Sequence, residues 1–249
     1  EDPDLDVLSG PSNTTYVIRM DTTVEPFKDV RVRQALKLAT NRREITDVAY
    51  EGVAIVGRDT PIGPAYGELH LDGPELEPDI EKAKDLLTEA GYPDGFDVTL
   101  LVAEANPQSN IAIIWAEQMK AIGVNVDIQV TSVENYYDQY LDIDLGITSW
   151  GSRVNPFFYL QMAYKTDAPW NETKFSDPEF DELVEELEYE LDHNDRVRLY
   201  HEIQEIMTAR GPVIVPSFRQ NVYGIDKNLR GVKPHMESES IDLQGAYFE

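Results

Sequence analysis

The chain has 249 residues, with 47 acidic against 21 basic side chains and a formal net charge of -26 at pH 7. A field of that sign repels phosphate backbones and anionic headgroups, so nucleic acid and membrane surfaces are poor partners. The sequence contains no cysteine, which excludes disulfides, thiol nucleophiles and thiolate metal sites. A hydrophobic fraction of 41% is that of a folded chain able to bury one α/β domain.

The first third of the chain predicts one short strand, two helices and a long loop. Residues 1–13 are acidic and contain Gly and Pro, so we expect them to be irregular, with a strand over 16–20. Asp29 is a suitable N-cap for a helix, and a second helix is predicted over 43–50. The Gly- and Pro-rich residues 52–78 predict a long surface loop.

The middle of the chain alternates between helix and strand patterns. Helices are predicted over 79–90, 107–122 and 133–141, and strands over 96–102, 124–130 and 145–148. This alternation is typical of a parallel sheet with right-handed crossovers. The sequence therefore predicts an α/β fold with a mostly parallel open sheet flanked by helices.

The last third predicts three helices and two strands. The helices begin after Pro156, after Asp177 and at residue 195, and the strands cover 213–218 and 222–225. The helix after Asp177 is strongly amphipathic. Its expected buried residues are Phe180, Leu183, Val184, Leu187 and Leu191.

Residues 145–160 form the predicted ligand-binding surface. A buried strand ends there in an indole, a glycine, a hydroxyl and a guanidinium, which suits a ligand crevice at the carboxyl edge of an open α/β sheet. An ordinary strand-to-helix loop is the alternative. Aromatic and amide side chains in a later loop, DAPWNET, are further candidates. The candidate ligand-binding residues are Trp150, Gly151, Ser152, Arg153, Trp170 and Asn171.

The sequence offers no credible catalytic set, and neither a cofactor nor a metal ion is predicted. The four histidines lack the spacing of a metal site. Asp142 and Asp144 form an acidic doublet that keeps open one alternative, a carboxylate- or metal-dependent α/β enzyme. In so acidic a chain, capping of the following strand is the simpler interpretation.

Five segments, in order along the chain, resemble the extracellular solute-binding proteins of the peptide/nickel-binding type that feed ABC importers. They are FKDVRVRQALKLATNRREI (27–45), EKAKDLLTEAGYPDGFDVTL (81–100), AEQMKAIGVNVDIQ (116–129), FSDPEFDELVEE (175–186) and RVRLYHEIQEIMTARGPVIVPSF (196–218). The resemblance implies a type II periplasmic-binding-protein fold, in which two lobes close on a ligand. Residues 21–249 would form the single C-terminal lobe, and residues 1–20 the crossover from a missing N-terminal lobe.

The resemblance also implies a function. The chain would belong to the substrate-binding component of an ABC importer, which is not an enzyme and delivers a small solute to permease subunits. It would act outside the cell, anchored to the membrane through a missing N-terminal segment. A chemosensory solute receptor is an alternative with the same lobe.

Arg153 departs from the family pattern. Peptide binders of the family carry an acidic residue three positions after the strand-ending Trp, where it meets the free amine of the peptide. A guanidinium at this position would repel an ammonium and attract a carboxylate or phosphate. The resemblance therefore implies an oligopeptide or an opine-like, anionic compound as the solute.

The acidic composition predicts adaptation to high salt. At 1 M salt the Debye length is roughly 3 Å, so repulsion among surface carboxylates is largely screened. The melting temperature should therefore rise between low salt and molar KCl, as measured by differential scanning calorimetry. A melting temperature that stays constant or falls over this range would contradict the prediction of a halophilic protein.

Overall fold

The computed structural model describes residues 4–237 and 240–249, which form an open mixed sheet with helices on both faces. The strands are β1 (Leu5–Met20), β2 (Ala54–Val56), β3 (Phe96–Ala103), β4 (Val124–Thr131), β5 (Leu145–Trp150), β6 (Val213–Ile214), β7 (Ser217–Asp226), β8 (Leu229–Arg230), β9 (Lys233–Pro234), β10 (Ile241–Asp242) and β11 (Tyr247–Phe248). The last four pair as two small ribbons, β8 with β11 and β9 with β10.

The helices are α1 (Val30–Ala39), α2 (Arg42–Ala49), α3 (Ile80–Glu89), α4 (Gln108–Met119), α5 (Val133–Asp138), α6 (Phe157–Tyr159), α7 (Pro178–Tyr189) and α8 (His193–Arg210). A π-helical turn, Leu160–Tyr164, continues α6. Among the described residues, no helix is long and apolar enough to cross a membrane. The N-caps expected at Asp29 and Asp177 are present, because each carboxylate accepts hydrogen bonds from the first turn of its helix.

The main sheet has the order β2, β7, β1, β5, β3, β4, with β6 also pairing β1. β3 runs parallel to β4 and β5, whereas β1 is antiparallel to β5, β6 and β7, and β7 is antiparallel to β2. The predicted α/β class with an open, helix-flanked sheet is confirmed. Fewer strands pair in parallel than expected, because β1 lies in the middle of the sheet and runs antiparallel to its neighbours β5, β6 and β7.

β1 corrects the expectation that residues 1–13 are irregular. Residues 5–11 pair with 220–226 of β7, and residues 15–20 pair with β5. The partner strand lies some 200 positions away in the sequence, so local composition did not reveal it. Gly10 is required at a close approach, since a Cβ there would lie 2.3 Å from Cγ of Pro234. Residues 1–3 of the predicted segment lie outside the described residues.

Two hydrophobic clusters pack on opposite faces of the sheet. Val17 and Ile18, adjacent on β1, point to opposite faces, as the two-residue strand period requires. The Ile18 face is covered by α1 to α4 and includes the fully buried Trp115, and the Val17 face is covered by α7 and α8. Leu191 was expected in this second cluster but is 93% exposed, because α7 ends at Tyr189.

The segment 52–78 is not a plain surface loop. It contributes β2 and a 3-10 helix, Pro64–Leu69, and its Asp59 is 1% exposed. The Asp59 carboxylate forms a buried ion pair with Arg42 and accepts a hydrogen bond from the amide of Val215 at 3.0 Å. A buried carboxylate is tolerated only when it is paired in this way, so the segment is fixed against the core.

Side chains of α1 cap the C-terminal end of α8. The Lys37 amine donates to the carbonyl oxygens of Met207 at 2.5 Å and Thr208 at 3.1 Å, and Arg33 and Gln34 donate to the two carbonyls that follow. These bonds give donor partners to the last carbonyls of the helix, of which that of Met207 also accepts from the amide of Gly211 at 3.0 Å. Lys37 is buried, and burial lowers its pKa to about 7.

Replacing Lys37 with Met removes this titrating amine. The unfolded chain, with a lysine pKa of about 10.4, binds more protons than the folded chain between pH 7 and about pH 10, so the free-energy cost of burying Lys37 decreases as the pH rises. Urea titrations give the unfolding free energy of the wild type and of Lys37→Met at each pH. The wild-type value minus the variant value should rise by about 2 kcal/mol between pH 7 and pH 9. A difference that is the same at both pH values would contradict a titrating, buried Lys37.

Candidate functional site

The loop after β5 is held against β1 by hydrogen bonds. The buried Ser152 hydroxyl accepts from the amide of Asn13 at 3.2 Å, and the Ser152 amide donates to the Thr14 hydroxyl at 3.3 Å. The Tyr159 hydroxyl donates to the carbonyl oxygen of Gly151 at 2.7 Å. The predicted strand end is therefore a fixed structure, and Ser152 serves to hold it.

Four aromatic side chains assemble beside this loop. We call Trp150, Phe158, Tyr159 and Trp170 the aromatic cluster. The ring centroids of Trp150 lie 6.3 Å from Trp170 and 6.1 Å from Tyr159, and those of Phe158 and Trp170 lie 5.3 Å apart. Tilted and edge-to-face arrangements at these distances stabilise the pairs beyond simple burial. The cluster provides a stiff apolar wall at the carboxyl end of β5.

Arg153 places a positive charge at the edge of this wall. Its guanidinium carbon lies 5.2 Å from the Phe158 ring centroid, and Nη1 donates to the carbonyl of the neighbouring Ser152 at 3.2 Å. The side chain is exposed. Within residues 4–237 and 240–249, no carboxylate forms an ion pair with Arg153. Its remaining N–H groups are therefore available to an external acceptor.

Glu172 lies beneath the aromatic cluster and was missed by the sequence reasoning. Its carboxylate accepts from the Trp150 indole at 3.1 Å and from the Thr148 hydroxyl at 2.6 Å, and Nε of Arg19 lies 3.4 Å away as an ion pair. Burial raises the pKa of Glu172, while Arg19 and the two hydrogen bonds act to lower it. One acid among 47 carried no distinguishing pattern; its only signal was its place directly after Trp170 and Asn171.

Asn171, a predicted ligand-binding residue, forms hydrogen bonds within its own loop. It is buried, and its amide donates to the carbonyl oxygens of Lys165 at 3.1 Å and Phe175 at 2.8 Å, while its oxygen accepts from the Thr173 hydroxyl at 2.9 Å. The side chain is thus fully used in shaping its own loop. The structure brings Trp150, Gly151, Arg153 and Trp170 to one surface and places Ser152 and Asn171 below it.

The acidic doublet Asp142 and Asp144 lies at the other end of β5. Asp144 immediately precedes the first residue of the strand, so it is roughly 20 Å from Trp150 at 3.3 Å per residue. In the described part of the chain, no group of three or more His, Asp or Glu side chains is placed to hold a metal ion. The doublet and the aromatic cluster therefore cannot form one site.

Comparison with known proteins places the chain in a family. A family model described as bacterial extracellular solute-binding proteins, family 5 Middle, matches residues 1–171. The chain belongs to this family. Family 5 members are binding proteins, in agreement with the resemblance of the five segments, and the periplasmic-binding-protein fold is confirmed by solved structures.

Three similar proteins show how far the similarity extends. The chain is 28% identical to the glutathione-binding protein GsiB of Salmonella typhimurium over 241 residues, which cover 91% of this chain and 46% of that protein. It is 26% identical to the dipeptide-binding protein of Escherichia coli, covering 97% and 48%. The structure of HbpA2 from Haemophilus parasuis superimposes with a TM-score of 0.86 at 26% identity, covering 100% and 50%. The chain spans about half the length of the curated relatives it matches.

Replacing Glu172 with Gln should destabilise the fold, because it leaves the buried Arg19 guanidinium without its carboxylate. Breaking a buried pair by removing one partner costs about 3 kcal/mol or more of unfolding free energy. Urea titration measures the loss, and near-ultraviolet circular dichroism reports the indole environment. Glu185→Gln is a matched control, since its exposed pair with Lys165 should contribute less than about 1 kcal/mol. Equal losses in both variants would contradict a buried pair at Glu172.

Proposed function

We propose that the chain supplies one ligand-binding lobe of the substrate-binding component of an ABC importer. The component would hold a small peptide-like or anionic solute outside the cell and deliver it to the permease. The observation that carries the proposal is Arg153, an exposed guanidinium at a strand end beside the aromatic cluster and without a carboxylate partner in the described chain. Membership of family 5 supports the transport role.

Arg153 and the aromatic cluster together favour a ligand that contains both a carboxylate and an apolar group. A guanidinium offers two parallel N–H donors that match a carboxylate, and the aromatic cluster offers flat faces for hydrocarbon groups. A free ammonium at the same place would meet a like charge. Glutathione and dipeptides, for which two of the relatives are named, both carry carboxylates. We propose an oligopeptide or an opine-like compound held by its carboxylate at Arg153.

The division into a crossover and a lobe is also a proposal, supported by β1. In the described part of the chain, residues 5–10 of β1 pair with β7 alone and carry exposed apolar side chains, Leu5 and Val7, the latter 78% exposed. The same strand continues into the core, where residues 15–20 pair with β5. We propose that residues 1–20 form the crossover to an N-terminal lobe, that residues 21–249 form the second lobe, and that closure of the two lobes buries the solute.

The location of the working protein follows from the same family. We propose that it acts outside the cell, attached to the membrane through an N-terminal segment, and in contact with permease subunits. Its acidic surface would suit a medium of high salt, in which the repulsion among 47 carboxylates is screened.

Charge reversal at Arg153 in the two-lobe protein tests the proposal. The native solute is first identified by native mass spectrometry of the complete protein, kept in high salt. Arg153→Asp should weaken binding of that solute by roughly 30-fold or more, because a carboxylate in the ligand then meets a carboxylate in the site. Isothermal titration calorimetry measures the affinity.

Arg198→Asp is the matched control, because it makes the same charge change on α8 in an exposed group of ion pairs. The affinity of Arg198→Asp for the native solute should equal that of the wild type. Unchanged binding by Arg153→Asp would remove Arg153 from the site and overturn the proposed mode of recognition.

A further inference from the structure

The 3-10 helix Pro64–Leu69 lies against the loop that carries Arg153. The hydroxyl of Tyr66, in this helix, donates to the backbone carbonyl oxygen of Arg153 at 2.6 Å, although the two residues are 87 positions apart in the sequence. Burial raises the pKa of Tyr66, so the hydroxyl stays protonated and remains a donor at neutral pH. A residue of the segment 52–78 therefore contacts the backbone of the candidate anion anchor.

Buried side chains fix this 3-10 helix at both ends. Before its first turn, the backbone amide of Gly63 donates to the side-chain oxygen of Asn13 at 2.6 Å. At its last residue, the side-chain amide of Gln204, on α8, donates to the carbonyl oxygen of Leu69 at 2.7 Å. Asn13 and Gln204 are both 0% exposed. Tyr66 therefore presents its hydroxyl from a rigid support, and the hydrogen bond can hold the loop in one position.

Three consecutive peptide groups around Arg153 are each held by a hydrogen bond. The carbonyl of Gly151 accepts from the Tyr159 hydroxyl at 2.7 Å, and the carbonyl of Ser152 accepts from Nη1 of Arg153 at 3.2 Å. The carbonyl of Arg153 itself, in the third peptide group, accepts from Tyr66. Tyr159 thus fixes the backbone on the N-terminal side of Arg153, and Tyr66 fixes it on the C-terminal side.

The backbone of Arg153 determines where its guanidinium lies. A long side chain loses conformational entropy when a ligand immobilises it, and a fixed backbone reduces that loss. The guanidinium carbon lies 5.2 Å from the Phe158 ring centroid, at the edge of the aromatic cluster. We propose that Tyr66 is a positioning residue, which holds the backbone of Arg153 so that the guanidinium meets a solute carboxylate beside the aromatic cluster. This assignment rests on the proposed function, in which Arg153 is the anion anchor.

The test uses the full chain and two probes, benzoate and benzamide. Both contain a benzene ring, but only benzoate is charged, so the ratio of the two affinities reports the contact of the carboxylate with Arg153. Nuclear magnetic resonance titrations at constant ionic strength, followed at the indole N–H groups of Trp150 and Trp170, measure both affinities. The wild type should bind benzoate about tenfold more tightly than benzamide, as a hydrogen-bonded charge requires.

Replacing Tyr66 with Phe removes the hydrogen bond and keeps the ring. Tyr66→Phe should weaken benzoate binding about fivefold and leave benzamide binding unchanged. In a chain that already carries Arg153→Gln, the same substitution should not change benzoate binding, because Tyr66 acts through Arg153. A purely structural role would weaken the binding of both probes alike. Equal losses for the two probes, or an unchanged benzoate affinity, would overturn the role assigned to Tyr66.

Tyr223→Phe is the matched control, because the Tyr223 hydroxyl also donates to a backbone carbonyl, that of Ser240 at 2.7 Å, and lies outside the aromatic cluster. This variant should bind both probes as the wild type does, and a benzoate loss equal to that of Tyr66→Phe would contradict a specific role for Tyr66. Failure of the proposed function gives a different result. If the wild type did not prefer benzoate, or if Arg153→Gln kept the preference, Arg153 would not be the anion anchor.

Discussion

The buried ion pair of Arg19 and Glu172 is the interaction on which the candidate site depends. Arg19 lies on β1 and is completely buried, and its guanidinium donates to the carbonyl oxygens of Ile143, Tyr140 at 2.7 Å and Glu172 at 3.2 Å. It thereby joins the central strand, the approach to β5 and the loop that carries Trp170. Removing two charges from water is costly, and the carbonyl acceptors offset part of that cost. The main effect of the pair is to position the candidate site, because the Glu172 carboxylate also accepts a hydrogen bond from the indole of Trp150.

The parts of the fold that could be predicted are those whose cause is local. Asp29 and Asp177 were recognised as N-caps because a capping side chain acts within three residues of itself. The parallel unit of β3, β4 and β5 was recognised because strand and helix periods alternate along a continuous stretch. The extension of β1 was missed, because its pairing with β7 depends on residues at the far end of the chain. Leu191 was misplaced because the hydrophobic stripe continued past the residue at which α7 ends.

In the candidate site, too, features with local causes could be predicted and features that depend on distant residues could not. Trp150, Gly151 and Arg153 follow one strand and could be located from the sequence as a group. The loop hydrogen bonds of Asn171 could not be predicted, since an amide that closes its own loop and an amide that contacts a ligand look identical in a sequence. Glu172 is the opposite case, because its importance lies in partners on two other elements, Arg19 and Thr148. Burial and pairing between distant segments are properties of the folded chain alone.

The position of β1 in the sheet also governs the order in which the fold can be completed. Its neighbours are β5 on one side and β6 and β7 on the other, so the central strand finds its last partners only when residues 213–226 are available. Contacts over such sequence separations carry a large loop-closure entropy and form late. During synthesis on a ribosome, the β3–β4–β5 unit can assemble first. The sheet edge made by β1 then remains exposed until nearly the whole chain has emerged, which is the stage at which aggregation through that edge is most favoured.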